Sequence, residues 1–469
     1  MTNSRSNDIR KSWEKPMAYK KSKYNIIIDR PEGCFLWNTY SNALIRLNKD
    51  GLMWFEAYDG TQNMGAYFGT LEKNGCIVRS DLNETGKLLY EEKAVMLDPA
   101  PESMHFTIAP GLDCNYNCPY CFEKGHGHGG RMSPAVVDAT VNYIINKAAA
   151  NPNLKQLEIR WFGGEPLLYM DIIDTMSIAF IDWCAAKDIY YTAGIVTNGR
   201  YLTRETAERL KALRVGYVQL SMDGIGNHYE QQKGARAGDF DAVVENLKAS
   251  ADLLQITVRI NVSDTINEAC ELTDFLLKKC GLDGRIKVYA AHVRDYEGRT
   301  AVEEQEAHAH FLEMEGKYMS LFKEEGPYKR ESLAFIPPKR RCTTCKSVCG
   351  SNYCIGPEGE LYRCEHHFGM PEHVVGNVLH GQNYPETELE YLRYKHLDQC
   401  LECSLFPVCL GGCKNDNVEG KPVLDCKAFL ERQIDFLMRA HCSEGQPSIP
   451  SDKSSRNIGE LKFIYGEEV

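Results

Sequence analysis

Three cysteines in one short stretch, from Leu112 to Phe122, are the residues of this chain with the most distinctive chemistry. The stretch reads LDCNYNCPYCF and spaces Cys114, Cys118 and Cys121 as CxxxCxxC. A tetrahedral zinc site or a fully thiolate-ligated iron–sulfur cluster needs a fourth cysteine, and the next one along the chain is Cys184. The loop therefore offers three thiolates, and a [4Fe–4S] cluster held in this way has one iron open to another ligand.

The same stretch carries an aromatic residue, Tyr120, directly before its last cysteine. With this spacing the loop resembles the CxxxCxφC motif of the radical S-adenosylmethionine (SAM) superfamily. The resemblance implies that the open iron binds the amino and carboxylate groups of SAM. One electron passed to the sulfonium would break its C5′–S bond and give a 5′-deoxyadenosyl radical, which can take hydrogen from an unactivated C–H bond.

Length, charge and cysteine content limit the class of protein. The chain has 469 residues, enough for two or three domains, and a formal net charge of -11, which argues against binding to nucleic acids or anionic membranes. It shows neither an apolar run of about 18 residues nor the apolar segment of a signal peptide, so we expect a cytoplasmic protein. Disulfides do not persist in that compartment, and the 19 cysteines therefore indicate metal or redox chemistry.

Hydropathy and turn residues divide the chain into six parts. Residues 24–98 combine short apolar runs with a helix and predict a small α+β domain, which resembles the winged-helix peptide-recognition domain that precedes many peptide-modifying radical enzymes. A domain that only caps the next one is the alternative. The predicted parts are a flexible arm (1–23), this α+β domain (24–98), a barrel (99–300), a helix and linker (301–340), a cysteine-rich domain (341–442) and a C-terminal tail (443–469).

Strands and helices alternate regularly between Met104 and Val293. Six βα units predict an α/β fold with a parallel sheet, and right-handed crossovers make that sheet a partial (β/α)6 barrel of the TIM type. The helix after the cysteine loop is expected to follow Ser133, with Pro134 at its first position. A doubly wound dinucleotide-binding sheet is the alternative, but no GxGxxG motif follows the first strand.

Polar and glycine residues stand where the predicted strands end, and barrel enzymes carry their functional groups at such ends. They form the motifs GGEP, TNG and SMDG, which resemble, in this order, the strand-end motifs of the radical SAM superfamily. The resemblance implies that glycine lets the backbone approach the ligand, that the acidic region accepts from the amino group of SAM, and that a serine with a nearby base contacts its carboxylate or ribose. The implied cofactor-binding residues are Tyr120, Gly163, Gly164, Glu165, Asn198, Ser221, Asp223, Lys233 and Asn261, with Arg236 as a second candidate base and Arg259 as a further pocket candidate.

Eleven of the cysteines lie between Cys342 and Cys442, both included. Within this region a CxxCxxxxxCxxxC run begins at Cys400, and upstream of it Gly359 separates two further cysteines, a spacing that resembles the SPASM domain. The resemblance implies two auxiliary [4Fe–4S] clusters. One would use Cys349, Cys364 and Cys413 with a fourth thiolate from Cys345 or Cys354, and the other would use Cys400, Cys403, Cys409 and Cys426. A zinc ribbon is the alternative, because CxxC pairs suit zinc equally well.

The cysteine-rich region has more thiols than two such clusters need, since Cys342, Cys345 and Cys354 all lie near Cys349. A leftover thiol could donate a hydrogen atom, bind substrate or have no task. The role of Cys442 stays open.

An acidic residue, Glu365, follows Cys364 directly. Sulfatase-maturing relatives place a catalytic aspartate at the matching position, so the resemblance makes Glu365 a candidate catalytic residue. The longer side chain counts against that particular role.

Three functions remain open on the sequence. The first is a maturase that forms a thioether or carbon–carbon cross-link in a ribosomally made peptide, with a leader peptide as partner and flavodoxin or ferredoxin as reductant. The second is an anaerobic sulfatase-maturing enzyme that forms formylglycine, which the extra N-terminal domain and Glu365 disfavour. The third, of another class, is a non-catalytic iron–sulfur or zinc binding protein.

Overall fold

The structure is a computed structural model. It describes residues 18–123, 130–262, 265–293, 301–323, 325–380, 382–383, 386, 388–389, 395–413, 426–441, 457–458 and 461–465. In these parts of the chain no helix is long and apolar enough to cross a bilayer. Cys442 lies outside the described residues.

The N-terminal part folds as a small α+β unit. Its strands and helices are β1 (Tyr19–Lys21), β2 (Asn25–Arg30), β3 (Gly33–Asn38), β4 (Leu44–Leu47), α1 (Lys49–Ala57), α2 (Ala66–Lys73), β5 (Ile77–Arg79) and α3 (Glu84–Met96). Asn48 and Asn83 precede α1 and α3, and each side chain accepts a hydrogen bond from a backbone amide of the first turn. The strands β2, β3 and β4 form an antiparallel sheet, and β1 pairs with β5.

A parallel sheet follows, as the alternation of strands and helices predicts. Its strands, each paired in parallel with the next, are β6 (Ser103–Ile108), β7 (Gln156–Trp161), β8 (Tyr190–Thr197), β9 (Val215–Met222), β10 (Gln255–Val262) and β11 (Lys287–His292). The connecting helices are α4 (Pro134–Ala149), α5 (Met170–Ala186), α6 (Arg204–Ala212), α7 (Asn227–Lys233), α8 (Asp239–Ser250) and α9 (Ile266–Asp274), the last continuing into a π-helical turn (Phe275–Lys279). The predicted α/β fold is confirmed.

The two faces of this sheet differ in polarity. Every second residue of a strand faces the helices; such residues, for example Phe106, Ile159 and Leu220, are fully buried and belong to the core. The residues between them point to the opposite side of the sheet, which we call the inner face. They are half-buried and largely polar: Glu158, Arg160, Gln219, Ser221, Arg259, Asn261 and Tyr289. Because successive side chains alternate across a strand, one sheet supplies both a core and a polar wall.

Helix α4 shows how the chain turns back after the cysteine loop. The Ser133 side chain accepts a hydrogen bond from the Val136 amide, and Pro134 is the first helical residue. Both features agree with the expected helix start, where proline costs no hydrogen bond.

The C-terminal part is joined to the parallel sheet by main-chain hydrogen bonds. After α10 (Ala301–Ser320), the strand β12 (Tyr353–Ile355) pairs in parallel with β6, and β13 (Glu360–Tyr362), β14 (Gly376–Asn377) and β15 (Gln382–Asn383) continue the same sheet in antiparallel order. The helices α11 (Asp398–Leu401), α12 (Phe406–Cys409) and α13 (Cys426–His441) follow. Two last strands, β16 (Asn457–Ile458) and β17 (Leu461–Tyr465), extend the N-terminal sheet beyond β4.

The N-terminal sheet packs between two layers. One face, with Leu36 and Ile45, contacts residues of α1 and α2. The other face, with Phe35 and Trp37, packs with Leu437 of α13 and with other residues around α12. This second contact fixes the small α+β unit to the cysteine-rich end of the chain.

Trp37 provides a test of this packing. Replacing the fully buried Trp37 with alanine removes the largest side chain of the contact and should lower the free energy of unfolding by about 3–5 kcal/mol. Scanning calorimetry measures the change as a lower melting temperature. Tyr90→Ala, at a side chain that is 75% exposed, is the control and should leave the melting temperature unchanged. Equal melting temperatures for both variants would show that the sheet does not pack as described.

Candidate active site

The cysteine loop lies beyond the end of β6 and is held by backbone contacts from two neighbours. On one side the amide of Glu165, after β7, donates to the carbonyl of Asp113 at 3.0 Å. On the other side the amide of Asn117 donates to the carbonyl of Lys233, the last residue of α7, at 3.2 Å. The loop is therefore fixed between a strand end and a helix end.

Glycines allow this close approach. A Cβ atom on Gly164 would lie 2.4 Å from the carbonyl oxygens of Leu112 and Asp113, and one on Gly163 would lie 2.4 Å from that of Gly111. Gly163 also has a φ of 108°, which L side chains rarely adopt. The sequence resemblance implied that these glycines let the backbone approach a ligand. In the structure they leave space for the cysteine loop itself.

The three thiols of the loop lie near one another in partly polar surroundings. Burial raises the pKa of the Cys114 thiol to about 12, and the nearby Cys118 and Cys121 thiols add to the rise. The Cys114 sulfur accepts a hydrogen bond from the Tyr116 amide at 3.5 Å, and the Asn198 side-chain amide lies 3.9 Å from it. Thiols with raised pKa values stay protonated without a cation, and a bound metal centre supplies the positive charge that favours thiolates.

Glu165 is fully buried and joins the ends of β7 and β8. Its carboxylate accepts hydrogen bonds from the Leu167 amide at 2.9 Å, the Thr197 hydroxyl at 2.8 Å and the Asn198 amide at 2.8 Å. Burial raises its pKa to about 7, although these three hydrogen bonds lower it. The residue that the resemblance assigns to the SAM amino group thus also fixes the position of Asn198.

A second polar group lies across the loop, at the ends of β9 and β10. The Lys233 ammonium donates to the Ser221 hydroxyl at 2.9 Å and forms an ion pair with Asp223 at 3.0 Å. The Tyr120 hydroxyl donates to the same Asp223 carboxylate, whose other oxygen accepts from the Asn261 amide at 3.1 Å. These contacts bring together five of the residues predicted to bind cofactor.

Lys233 is nearly fully buried, with 2% of its surface exposed. Burial lowers its pKa and Asp223 raises it, and the net result lies well above the usual value. The sequence left Lys233 and Arg236 as alternative bases, and Lys233 is the one in contact with Ser221. It comes from α7, a helix that the sequence pattern did not predict.

The cysteine-rich end of the chain brings four thiols together near the turn after β13. Burial raises the pKa of Cys364 to about 12, and among its charged neighbours Cys345 and Cys413 add to the rise. Burial also raises the pKa of Cys349, and Cys345 adds to that rise. Cys345 therefore accompanies the three cysteines that the SPASM resemblance assigns to one auxiliary cluster.

Cys354 has different surroundings. It is buried in β12, directly opposite Thr107 of β6, and packs with Phe368 and other apolar residues. Burial raises its pKa well above the usual value, with Glu365 and Cys364 as further causes. Because its backbone is fixed in the sheet, it has less freedom than Cys345 to turn toward a shared cluster.

A second group of four thiols lies around α11 and α12. Burial raises the pKa of Cys409 to about 11, and Cys403, Cys400 and Cys426 add to the rise. These are the four residues that the resemblance assigns to the other auxiliary cluster. The Lys23 ammonium donates to the carbonyl of Leu401 at 2.7 Å, so the N-terminal unit directly contacts this group.

Glu365 lies on the inner face, where Arg160 donates to both of its carboxylate oxygens at 3.1 Å. The next residue, His366, stacks on Phe122 of the cysteine loop with ring centroids 4.3 Å apart. Glu123, which the sequence analysis did not single out, lies in the same place. Burial raises its pKa to about 8, and Glu365 adds to the rise. Its only sequence signal was its position two residues after Cys121.

The donor sets fit iron–sulfur clusters. Among the described residues no three histidine, cysteine, aspartate or glutamate side chains converge as they would around a single metal ion. The three loop thiols stand beside a polar strand edge, which matches a cluster with one open iron. The two cysteine-rich groups each contain four thiols, the number that a fully ligated cluster uses.

Comparison with known proteins finds a family model that matches the central part of the chain. Residues 108–276 match the family model of the Radical SAM superfamily. The part of the chain that holds the cysteine loop is therefore similar to the radical SAM superfamily. The match begins at the last residue of β6 and contains the cysteine loop and each of the predicted cofactor-binding residues.

Relatives cover different shares of the chain. The radical SAM cyclopropyl synthase TigE of Paramaledivibacter caminithermalis is 32% identical over 162 residues, which are 31% of this chain and 33% of that relative. An uncharacterised protein of Archaeoglobus fulgidus is 23% identical over 348 residues, 71% of this chain and 76% of that protein. The alignment thus spans about a third of the synthase's own length.

A solved structure shares the fold. The structure of native anSMEcpe with bound AdoMet superposes with a TM-score of 0.53 at 18% sequence identity and covers 72% of this chain and 96% of that one. At this identity the likeness is one of fold. It agrees with the partial barrel predicted from the alternating strands and helices.

The close packing of Gly164 against the loop gives a second test. In Gly164→Ala the added methyl group meets two carbonyl oxygens, so the loop must shift and its thiols should no longer hold a cluster. After anaerobic reconstitution we expect a loss of roughly four iron atoms per chain. Gly69→Ala in α2 is the control, because no atom lies within 4 Å of its added Cβ. Full iron content in Gly164→Ala would disprove the role of this contact.

The two candidate fourth ligands, Cys345 and Cys354, can be separated in the same way. Cys345→Ala should lower the iron content of the reconstituted protein by up to roughly four atoms per chain, because an auxiliary cluster loses a ligand. Cys354→Ala should keep the iron and only lower the melting temperature, since it opens a small cavity beside Phe368. The opposite pattern would assign Cys354 as the ligand.

Proposed function

We propose that this protein is a SPASM-type radical SAM enzyme that modifies a peptide, installing a thioether or carbon–carbon cross-link in a ribosomally made chain. The observation that carries the proposal is the loop of three thiols at the carboxyl ends of parallel strands, beside the polar group of Ser221, Lys233 and Asp223. The radical SAM superfamily, whose family model matches residues 108–276, uses loops of this kind.

Cys114, Cys118 and Cys121 are the proposed ligands of the cluster that binds SAM. When bound, this centre would supply the chemistry for taking a hydrogen atom from a substrate C–H bond. The protein's own part is positioning. Glu165 accepts a hydrogen bond from the Asn198 backbone amide, and the Asn198 side-chain amide lies beside the Cys114 sulfur. The Tyr120 hydroxyl connects the loop to the end of β9 through Asp223.

The strand-end residues are proposed to hold SAM. Asn198, Ser221, Asp223 and Asn261 lie at or directly after the ends of three different strands, around the cysteine loop. Lys233 is neutralised by Asp223, so in this arrangement it orients the Ser221 hydroxyl rather than presenting a free charge.

Two auxiliary [4Fe–4S] clusters are proposed for the C-terminal thiols. The proposed ligands of one are Cys345, Cys349, Cys364 and Cys413, and those of the other are Cys400, Cys403, Cys409 and Cys426. The stacking of Phe122 on His366 brings the first of these groups next to the loop of three thiols, which suits an electron acceptor for the oxidised substrate. Flavodoxin or ferredoxin is the proposed reductant.

A peptide substrate is supported by the neighbours. The names of solved structures say that anSMEcpe holds AdoMet together with a peptide, and TigE is named a cyclopropyl synthase. In this chain the open, polar inner face offers hydrogen-bonding groups along its length, as an extended peptide needs. The α+β unit of residues 24–98 is the proposed site for a leader peptide, and its contact with the second auxiliary group would place that leader beside the cysteine-rich end.

A second candidate is a sulfatase-maturing enzyme. The shared fold of anSMEcpe favours it, and the Glu365 carboxylate lies on the inner face, where it pairs with Arg160. The longer side chain of Glu365, compared with aspartate, still counts against it. Formation of formylglycine in a sulfatase peptide would support this candidate, and a cross-linked product would support the first.

The central prediction concerns deoxyadenosine. Replacing Cys114, Cys118 and Cys121 with alanine should abolish 5′-deoxyadenosine formation from SAM under reducing conditions, because the chain then lacks the ligands of the open cluster. Liquid chromatography of reaction mixtures measures this product. Cys403→Ala should still form deoxyadenosine, since its thiol belongs to the other end of the chain. If the triple variant still cleaved SAM, the proposed function would fail, and a wild-type protein that never cleaved it would favour the non-catalytic alternative.

A further inference from the structure

Some charged side chains of the inner face form ion pairs with other described residues, and others do not. Glu158 on β7 accepts from Lys346 at 2.8 Å, and Arg160 pairs with Glu365. Lys287, at the start of β11, is exposed to water. Arg259 in the middle of β10 is half-buried, and within the described parts of the chain no carboxylate lies within ion-pairing distance of it.

The Arg259 guanidinium is nevertheless held in place. Its Nε donates to the Asn261 side-chain oxygen at 2.8 Å, and its Cζ atom lies over the Tyr289 ring, 6.0 Å from the centroid. The backbone of Asn261 is fixed in turn by Asp223. Among the described residues the two terminal nitrogens have no acceptor. They form a fork of the geometry that binds a carboxylate through two parallel hydrogen bonds.

The position of this fork relates it to the cysteine loop. Arg259 is directly paired with Ser221 of β9 on one side and with Tyr289 of β11 on the other. Neighbouring strands lie about 4.8 Å apart, so the guanidinium stands one strand away from the serine that contacts Lys233. It points from the same face that bears Glu365 and Arg160. Among the described residues, this guanidinium is therefore a charge on the inner face without an ion-pair partner, one strand away from the polar group beside the loop.

We propose that Arg259 binds a carboxylate group of the molecule that occupies the inner face. This inference rests on the proposed function, which places a reaction at that face. Two molecules could bring the carboxylate: an acidic residue of the peptide substrate, or SAM through its methionine moiety. Both satisfy the same chemistry, a carboxylate that neutralises a half-buried guanidinium and fills its two free donor positions.

The test compares matched ligands that differ by one carboxylate. Full-length protein reconstituted with iron and sulfide is dialysed to equilibrium against acetyl-Gly-Gly-Glu-Gly-Gly-amide or its glutamine counterpart, and separately against SAM or decarboxylated SAM. For the ligand that Arg259 recognises, wild type should prefer the carboxylate form by roughly 10- to 100-fold, the range of charged hydrogen bonds. Arg259→Gln should bring that ratio close to one.

Two further variants control the measurement. Arg285→Gln removes an exposed arginine before β11 and should keep the wild-type ratio. Arg259→Lys keeps the charge without the fork and should give an intermediate ratio. Iron content and melting temperature like those of wild type show that each variant is folded.

The outcomes separate the two sources and the two proposals. If Arg259→Gln brings the binding ratio close to one only for the peptide pair, the carboxylate belongs to the substrate. If it does so only for the SAM pair, the carboxylate belongs to SAM. The inference is overturned if wild type shows no preference in either pair, or if Arg259→Gln leaves both ratios unchanged. Deoxyadenosine formation is a separate readout, so a protein that binds with these preferences but never cleaves SAM would disprove the proposed function and leave the Arg259 site intact.

Discussion

The structure depends on the close contact between the cysteine loop and the strand end that carries Gly163 and Gly164. The loop carbonyls occupy the space that a side chain at either glycine would fill. This contact places Glu165 next to the end of β8, where its carboxylate binds the Asn198 backbone amide. Asn198 is thereby fixed beside Cys114. A loop that must present three thiols in one geometry has few backbone hydrogen bonds of its own, and the neighbouring glycines let other elements supply them.

Contacts with neighbouring elements also fix the far side of the loop and the C-terminal part. The carbonyl of Lys233, the last residue of α7, accepts a hydrogen bond from the loop backbone. The Lys233 ammonium also contacts Ser221 and Asp223. The strand β12 adds the cysteine-rich end to the edge of the parallel sheet, so that the turn with Glu365 faces the loop. One sheet therefore aligns the three thiols, the inner polar face and one of the four-thiol groups. This common frame is the physical reason to treat them as one site.

The local patterns of the sequence predicted much of this. Periodicity predicted each strand of the parallel sheet, and Ser133 with Pro134 predicted the start of α4, because caps and alternation are encoded within a few residues. The order of strand-end motifs predicted which residues meet around the loop. Helix α7 was missed, since its sequence NHYEQQK is polar and has no apolar stripe to reveal it.

Contacts between distant segments could not be predicted. Nothing local in Tyr353–Ile355 shows that it pairs with β6, and nothing in Leu461–Tyr465 shows that it pairs with β4. The position of Cys345 beside Cys364 likewise depends on how the chain folds between them, which spacing alone left open. Glu123 became notable only through its burial next to Glu365.

In the proposed function, the loop of three thiols holds a cluster with an iron open to SAM. Electron paramagnetic resonance of the reduced, reconstituted protein tests it most directly, and best in a variant whose auxiliary thiols are replaced, so that one cluster is observed. Adding SAM should change the spectrum of the reduced cluster, because SAM becomes a ligand of the open iron. An unchanged spectrum at saturating SAM would contradict it.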